Sequence, residues 1–137
     1  MSYLLDTNTC IFALKGRPPE VAERLRACAP EDIAVSIITV AELWFGALKS
    51  ARPQEHRLAV DAFLGDIRVL EFDVAAAQHY PSVRLHLQRM GTPISERDQL
   101  IACTALAHGM TVVTHNVGEY ARVPGIHVQD WVSPSER

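Results

Sequence analysis

The 137-residue sequence lacks the features that mark several large classes of protein. Its three cysteines, Cys10, Cys28 and Cys103, include no C-x-x-C pair, so neither a disulfide framework nor a zinc site is predicted. No apolar run approaches the roughly 20 residues that a membrane span needs. The first residues also lack the basic start and apolar run of a signal peptide. Together these absences predict a soluble protein of the reducing cytoplasm.

Motifs for nucleotide binding and a broad basic charge are also absent. Neither G-x-G-x-x-G nor G-x-x-x-x-G-K-[ST] occurs, so nucleotide-cofactor and P-loop functions have no support. The formal net charge is −3, whereas domains that bind nucleic acids without specificity are usually basic. The charge therefore argues against broad nucleic-acid binding but is compatible with a local basic rim.

What the sequence does contain is an alternation of strands and helices. Its length and its 48% hydrophobic content predict one globular domain, residues 1–137. We predict strands at 2–5, 33–38, 67–72 and 111–114, with a further short strand near 126–128. Helices are predicted at 7–14, 20–28, 39–50, 53–64, 73–90 and 95–108. Such an alternation is typical of an α/β fold with a mostly parallel sheet.

Asp6 directly follows the first predicted strand. Ligands of open parallel sheets bind beyond the carboxyl ends of the strands, so a carboxylate at this position is a candidate site residue. Asp is also a preferred N-cap, and a helix follows. Asp73 also lies between a strand and a helix, and we interpret it as a cap only. Position alone therefore does not define a site.

Glu42 and Asp98 are the other acids of interest, and each has a structural explanation. Thr39 to Glu42 fits a capping box, in which Glu returns to the amide of the cap residue. Ser95 to Asp98 is a weaker version of the same pattern. Asp98, however, shares one helical face with three apolar residues, Ile101, Ala102 and Ala105. An inward-facing carboxylate without a partner is costly, and a cation would offset that cost.

The set of acids predicts a metal site more strongly than any one acid does. Asn116 and Glu119 follow the fourth strand, where a polar turn is the simpler interpretation. Carboxylates gathered at one edge repel each other unless they hold a divalent cation, and oxygen-only ligands select Mg²⁺ or Mn²⁺. Such a metal activates water and polarises phosphoryl oxygens. Hydrolysis of a phosphodiester is the chemistry that suits this set best.

Five segments of the chain resemble, in order and spacing, the PIN-domain ribonucleases. They are YLLDTN at 3–8, IITVAEL at 37–43, GTPI at 91–94, DQLIA at 98–102 and VTHN at 113–116. More narrowly, the chain resembles the VapC toxins of bacterial toxin–antitoxin pairs. The similarity runs almost from end to end, and it includes VPG at 123–125 and DW at 130–131.

The resemblance implies a three-layer sandwich with a five-stranded parallel sheet of order 3-2-1-4-5 and helices on both faces. It also implies a Mg²⁺- or Mn²⁺-dependent endoribonuclease that forms a homodimer. Family members often cut structured RNA such as tRNA. A VapB-type antitoxin would inhibit the enzyme by placing its C-terminal segment in the toxin's groove.

The resemblance also implies roles for individual residues. Asp6, Glu42 and Asp98 match the acids of the family, with Asp6 and Asp98 as direct metal ligands. Asn116 stands where many PIN domains have a fourth acid, and it would orient a water or bind through its amide oxygen. Glu119 would then supply the missing charge through water.

An RNA substrate would require basic groups around the acids. The sequence offers scattered cations, namely Lys15, Arg17, Lys49, Arg52, Arg84, Arg89 and Arg97. Arg97 is the best candidate because it adjoins Asp98. Trp44, Leu48 and Ala51 form one apolar stripe, and we expect the remaining apolar residues of that helix, including Phe45, to form core or dimer contacts rather than to stack on bases.

Two other function classes are compatible with parts of the sequence. A haloacid-dehalogenase-like phosphatase would also have Asp6 at the end of its first strand. That chemistry requires a second Asp two residues later, where this chain has Asn8. A non-catalytic PIN-fold interaction module is the second alternative. The three acids argue against it, whereas Asn116 keeps it open.

Overall fold

A computed structural model describes residues 1–132 and shows a parallel sheet of five strands. The strands are β1 (Tyr3–Leu5), β2 (Ile33–Ser36), β3 (Arg68–Leu70), β4 (Thr111–Val113) and β5 (His127–Gln129). All neighbours pair in parallel, in the order β3-β2-β1-β4-β5. The predicted fold class and strand order are confirmed. Residues 133–137, which the predicted domain includes, lie outside the described part of the chain.

Helices connect successive strands. They are α1 (Thr7–Lys15), α2 (Pro19–Ala27), α3 (Ile37–Leu48), α4 (Pro53–Leu64), α5 (Val74–Met90), α6 (Glu96–His108) and α7 (Val117–Tyr120), and a short 3-10 helix spans Pro30–Asp32. Over residues 1–132, no helix combines the length and the apolarity that crossing a membrane requires.

The sheet separates two hydrophobic cores. Leu4 and Val112 pack on one face with residues of α5 and α6, such as Leu87 and Ile101. Their neighbours along the strands, such as Leu5, pack on the other face with α1 to α4. The central strands are buried on both faces, which explains why they are almost continuously apolar rather than alternating.

The register of the strands aligns their carboxyl ends. Leu5 pairs with both Val35 and Val113. The next residue in each chain segment is therefore Asp6 on the central strand, Ser36 on one side and Thr114 on the other. All three are almost completely buried. Parallel pairing thus places Asp6 in the middle of the sheet edge where ligands bind in folds of this class.

The predicted boundary between β2 and α3 is wrong by two residues. The β-branched run at 33–38 predicted a strand as far as Ile38, with Thr39 as the helix cap. In the structure Ser36 is the N-cap, and its hydroxyl accepts a hydrogen bond from the Thr39 amide at 3.1 Å. An early serine cap allows Ile37 to begin the helix, so tertiary context overrides the strand propensity of this residue. Glu42 consequently has no part in a capping box.

Other differences are small. The predicted third strand, 67–72, shortens to Arg68–Leu70, and the fifth, predicted near 126–128, is His127–Gln129. Helix α7 and the 3-10 helix were not predicted, because four and three residues are too few to show a helical period.

The interpretation of Asp73 as a helix cap is confirmed. Its side chain accepts a hydrogen bond from the Ala76 amide at 3.0 Å at the start of α5. We expect Asp73→Ala to lower the free energy of unfolding by about 1 kcal/mol, whereas Asp73→Asn retains an acceptor and costs much less. Urea denaturation of both variants measures this difference. Equal losses in the two variants would contradict the capping role.

Candidate active site at the carboxyl edge of the sheet

Asp6 is the central residue of the site and also the N-cap of α1. Its carboxylate Oδ1 accepts a hydrogen bond from the Thr9 amide at 2.8 Å, and only 4% of the residue is exposed. The Asp6 amide donates to the carbonyl of Val113 at 3.0 Å, which ties the residue to β4. A single conformation of Asp6 therefore caps α1 and places the carboxylate at the edge of the sheet.

The charge of Asp6 is disfavoured where it lies. Burial raises the pKa of Asp6 above its ordinary value, and the nearby Asp98 carboxylate raises it further. Hydrogen bonds from Thr114 and Thr9 oppose the increase in this pKa. The two carboxylates are thus close enough to interact, although they lie 92 residues apart in the sequence.

Asp98 lies in the first turn of α6, which Ser95 caps as predicted. The Ser95 hydroxyl accepts a hydrogen bond from the Asp98 amide at 3.1 Å. The Asp98 side chain is half-buried, and its Oδ1 accepts from the hydroxyl of Tyr120 at 3.0 Å. Ile101 is fully buried below it, which confirms that this face of α6 points inward.

The Tyr120 phenol lies within the field of all three acids. Burial raises the pKa of this phenol far above its ordinary range, and the negative charges of Asp6, Asp98 and Glu42 raise it further. Tyr120 is therefore a protonated hydrogen-bond donor. The three acids that the sequence singled out therefore lie close enough to Tyr120 to act on it electrostatically.

Glu42 lies in the middle of α3, and its carboxylate is engaged by two partners. One oxygen accepts from the hydroxyl of Thr7 at 2.5 Å, and the other forms an ion pair with Arg97 Nε at 2.7 Å. The Glu42 side chain is 25% exposed and that of Arg97 is 66% exposed. Solvent screens an ion pair of this kind, so we expect it to contribute less than about 1 kcal/mol to stability.

Asn116 and Glu119 form their own contact at the edge of the site. The Asn116 side-chain amide donates to the Glu119 carboxylate at 2.9 Å. The backbone amide of Asn116 donates to the hydroxyl of Thr114, also at 2.9 Å. The side chain of Asn116 is thus held by Glu119. Its predicted catalytic role stays a prediction.

The acids are close together without forming a ready metal cage. Within residues 1–132, no three His, Cys, Asp or Glu side chains form a group that holds a metal ion as they stand. The Glu42 carboxylate is instead bonded to Thr7 and Arg97. Asp6 and Asp98 remain as an oxygen-donor pair, which is the ligand type that Mg²⁺ and Mn²⁺ prefer.

A groove of about 610 Å³ extends from Glu42 between α1, α3 and α6. Arg97 and Lys49 line it, and Lys49 Nζ lies 5.2 Å from the ring centroid of Phe45. Phe45 is 62% exposed, so a core position for this residue is wrong. Trp44 is also exposed and bonds to Asp61 on α4. A dimer contact for the aromatic residues stays a prediction.

Sequence reasoning missed four residues that shape the site, namely Thr7, Thr9, Thr114 and Tyr120. The threonines follow strand ends, where their hydroxyls reach a neighbouring carboxylate or carbonyl. Thr9, for example, donates to the Val113 carbonyl at 2.9 Å. Tyr120 carried no local signal, because its partner Asp98 is 22 residues away.

The structure is that of an α/β domain with acidic side chains beyond the carboxyl ends of its parallel strands. The family model for the PIN domain matches residues 3–125. The "tRNA(fMet)-specific endonuclease VapC" of Salmonella typhimurium strain LT2 is 40% identical over 131 residues, which cover 96% of this chain and 98% of that protein. The "Ribonuclease VapC2" of Rickettsia felis is 33% identical, with 96% and 98% covered.

A solved structure supports the same family assignment. The VapBC complex of Salmonella typhimurium bound to DNA contains a chain that superposes on this one with a TM-score of 0.89 at 40% identity, covering 96% of this chain and 98% of that one. The chain therefore belongs to the PIN-domain family and, within it, to the VapC group.

Because Asp6 is buried, its ionisation predicts how the free energy of unfolding depends on pH when no metal is added. Because the pKa of Asp6 is higher in the folded protein than its ordinary value of 3.8, ionisation of Asp6 weakens folding as the pH rises. Asp6→Asn keeps the cap and has no charge, so we expect it to be more stable than wild type at pH 7 in EDTA. This advantage should shrink as the pH falls towards 4. Urea denaturation across this range is the measurement, and a constant advantage would contradict the argument.

Proposed function

We propose that this chain is a Mg²⁺- or Mn²⁺-dependent endoribonuclease toxin that a VapB-type antitoxin neutralises. The observation that carries the proposal is the buried position of Asp6 at the carboxyl edge of the parallel sheet, with the Asp98 carboxylate near it. The relatives named as ribonucleases support RNA as the substrate. Membership of the PIN-domain family favours this function over a dehalogenase-like phosphatase.

The chemistry of the donors fits a hard divalent cation. Asp6 and Asp98 would hold it, since two like charges at close range are stabilised by a shared cation and destabilised without one. Glu42 would complete the set after its carboxylate leaves Arg97. When bound, such a metal polarises a phosphoryl oxygen and lowers the pKa of a water molecule.

The remaining residues position substrate and ligands. The Thr9 amide and the Thr114 hydroxyl hold the Asp6 carboxylate in one orientation. Arg97, once released from Glu42, is placed to contact a backbone phosphate, and Lys49 lies further along the same groove. Phosphate contacts of this kind position an RNA, whereas specificity comes from bases in single-stranded regions.

The cellular setting follows from the same proposal. A relative is named as a tRNA(fMet)-specific endonuclease, so we propose tRNA as the substrate class, cut in the cytoplasm. We also propose that the toxin is a homodimer and that its complex with the antitoxin is the resting state. The solved VapBC complexes of similar chains support the antitoxin partner.

The metal requirement gives the first test of the enzyme. Cleavage of RNA by the purified chain should stop in EDTA and return on addition of excess Mg²⁺ or Mn²⁺, because the donors are all oxygen atoms. Asp6→Asn and Asp98→Asn should lower cleavage at least 100-fold, a magnitude typical for loss of a group that stabilises the transition state. Cleavage is followed on labelled tRNA.

Asp73→Asn is the matched control for these variants. It makes the same chemical change at a helix cap that follows the edge strand β3. This variant should therefore cleave RNA at nearly the wild-type rate. An inactive but folded Asp73→Asn would contradict the placement of the site. If the wild type cleaved RNA fully in EDTA while Asp6→Asn did not cleave it, the metal mechanism would be wrong. The location of the active site would still be supported.

The antitoxin gives a second test, because the site is anionic. We expect inhibition by an inserted Arg or Lys whose cation pairs with Asp6, Glu42 or Asp98. Such a cation competes with metal, so the purified complex should bind Mn²⁺ more weakly than the toxin alone. Isothermal titration of both with Mn²⁺ measures the difference. Equal affinities would show instead that the antitoxin acts by covering the groove.

A further inference from the structure

Tyr120 links a separate part of the chain to the acids. It is the last residue of α7, and the structure shows it completely buried among the residues that pack between the sheet and α6. Its ring is held by this core, and its hydroxyl donates to Asp98 Oδ1 at 3.0 Å. The phenol thus joins the rigid interior to one oxygen of a half-buried carboxylate.

A tyrosine is not required at this position by packing alone. The ring fills the core, and a phenylalanine would fill almost the same volume without bringing a polar group into an apolar cluster. Burying a hydroxyl is costly unless it has a partner. Here the partner is Asp98, one of the three acids. The hydroxyl therefore makes a contact that filling the core does not require.

We propose that Tyr120 is a positioning residue that orients the Asp98 carboxylate for metal binding. Its hydrogen bond to Oδ1 restricts the rotation of the Asp98 carboxylate. The residue acts through Asp98 and does not itself contact metal or RNA. This inference rests on the proposed metal site. It adds Tyr120 as the residue that holds Asp98, the second proposed ligand, in place.

Within residues 1–132, no group other than the Tyr120 hydroxyl donates a hydrogen bond to this carboxylate. Ser95 bonds to the backbone amide of Asp98, not to its side chain. Asp6, by contrast, has its carboxylate held by the Thr9 amide. Without Tyr120 the Asp98 side chain would sample other rotamers in its half-exposed position. Hydrogen-bond partners that orient ligands typically contribute 10- to 100-fold to metal affinity.

The test compares Tyr120→Phe with wild type. We expect Mn²⁺ affinity, measured by isothermal titration or by electron paramagnetic resonance of free Mn²⁺, to fall about 10-fold. The free energy of unfolding in EDTA should stay near the wild-type value, since only a hydroxyl is removed and Asp98 can accept a bond from water. At saturating Mn²⁺, kcat for RNA should also fall while KM changes little.

Tyr80→Phe is the matched control. The Tyr80 hydroxyl also donates to a carboxylate, that of Glu96, but this hydrogen bond is exposed, and Glu96 is not one of the three acids of the site. Removing it should leave Mn²⁺ affinity and kcat unchanged. A loss of affinity in Tyr80→Phe equal to that in Tyr120→Phe would overturn the proposal, because the effect would then be general to lost hydroxyls.

A double variant shows whether Tyr120 acts through Asp98. If it does, Tyr120→Phe should have no further effect on Mn²⁺ affinity once Asp98→Asn is present, because interacting residues are not additive. Additive losses would overturn the proposal. Equal Mn²⁺ affinity in wild type and Tyr120→Phe would overturn it too and leave the proposed function intact. A wild-type protein that binds no Mn²⁺ would instead refute the metal site and this inference together.

Discussion

The site depends on one desolvated carboxylate at the end of the central strand. Asp6 is 4% exposed, yet it follows β1 at the position where parallel strands end together. Its charge is tolerated because the Thr9 amide and the Thr114 hydroxyl donate to it. The start of α1, the register of β4 and the orientation of the first acid are therefore set by the same few contacts.

At Asp6, helix capping and the placement of a carboxylate at the sheet edge depend on the same side chain. Asp6 caps a helix and presents its carboxylate to Asp98, so both demands select the same side chain. Asp73 caps α5 with the same geometry but belongs to the loop after the edge strand β3. The difference lies in the strand that precedes each residue, since the order of strands places β1 at the centre and β3 at the edge.

One of the three acids is paired with a basic side chain of the same chain. Arg97 forms an ion pair with Glu42 at 2.7 Å, while the charge of Asp98 raises the pKa of Asp6. The cluster is therefore half compensated. Repulsion between like charges at close range is what the proposed divalent cation would relieve.

The sequence by itself determined the α/β class, the approximate elements and the identity of the acids, because apolar runs, caps and turn residues act locally. Asp6 and Asp98 could be singled out from a strand end and from a helical face. Local patterns did not reveal the cap at Ser36, since β-branched residues follow it and tertiary packing decides whether they extend a strand or begin a helix. The contacts of Glu42 with Arg97 and of Tyr120 with Asp98 were likewise decided only by the tertiary structure. Each joins residues on different elements, and the distance between such residues depends on how the sheet and its helices pack.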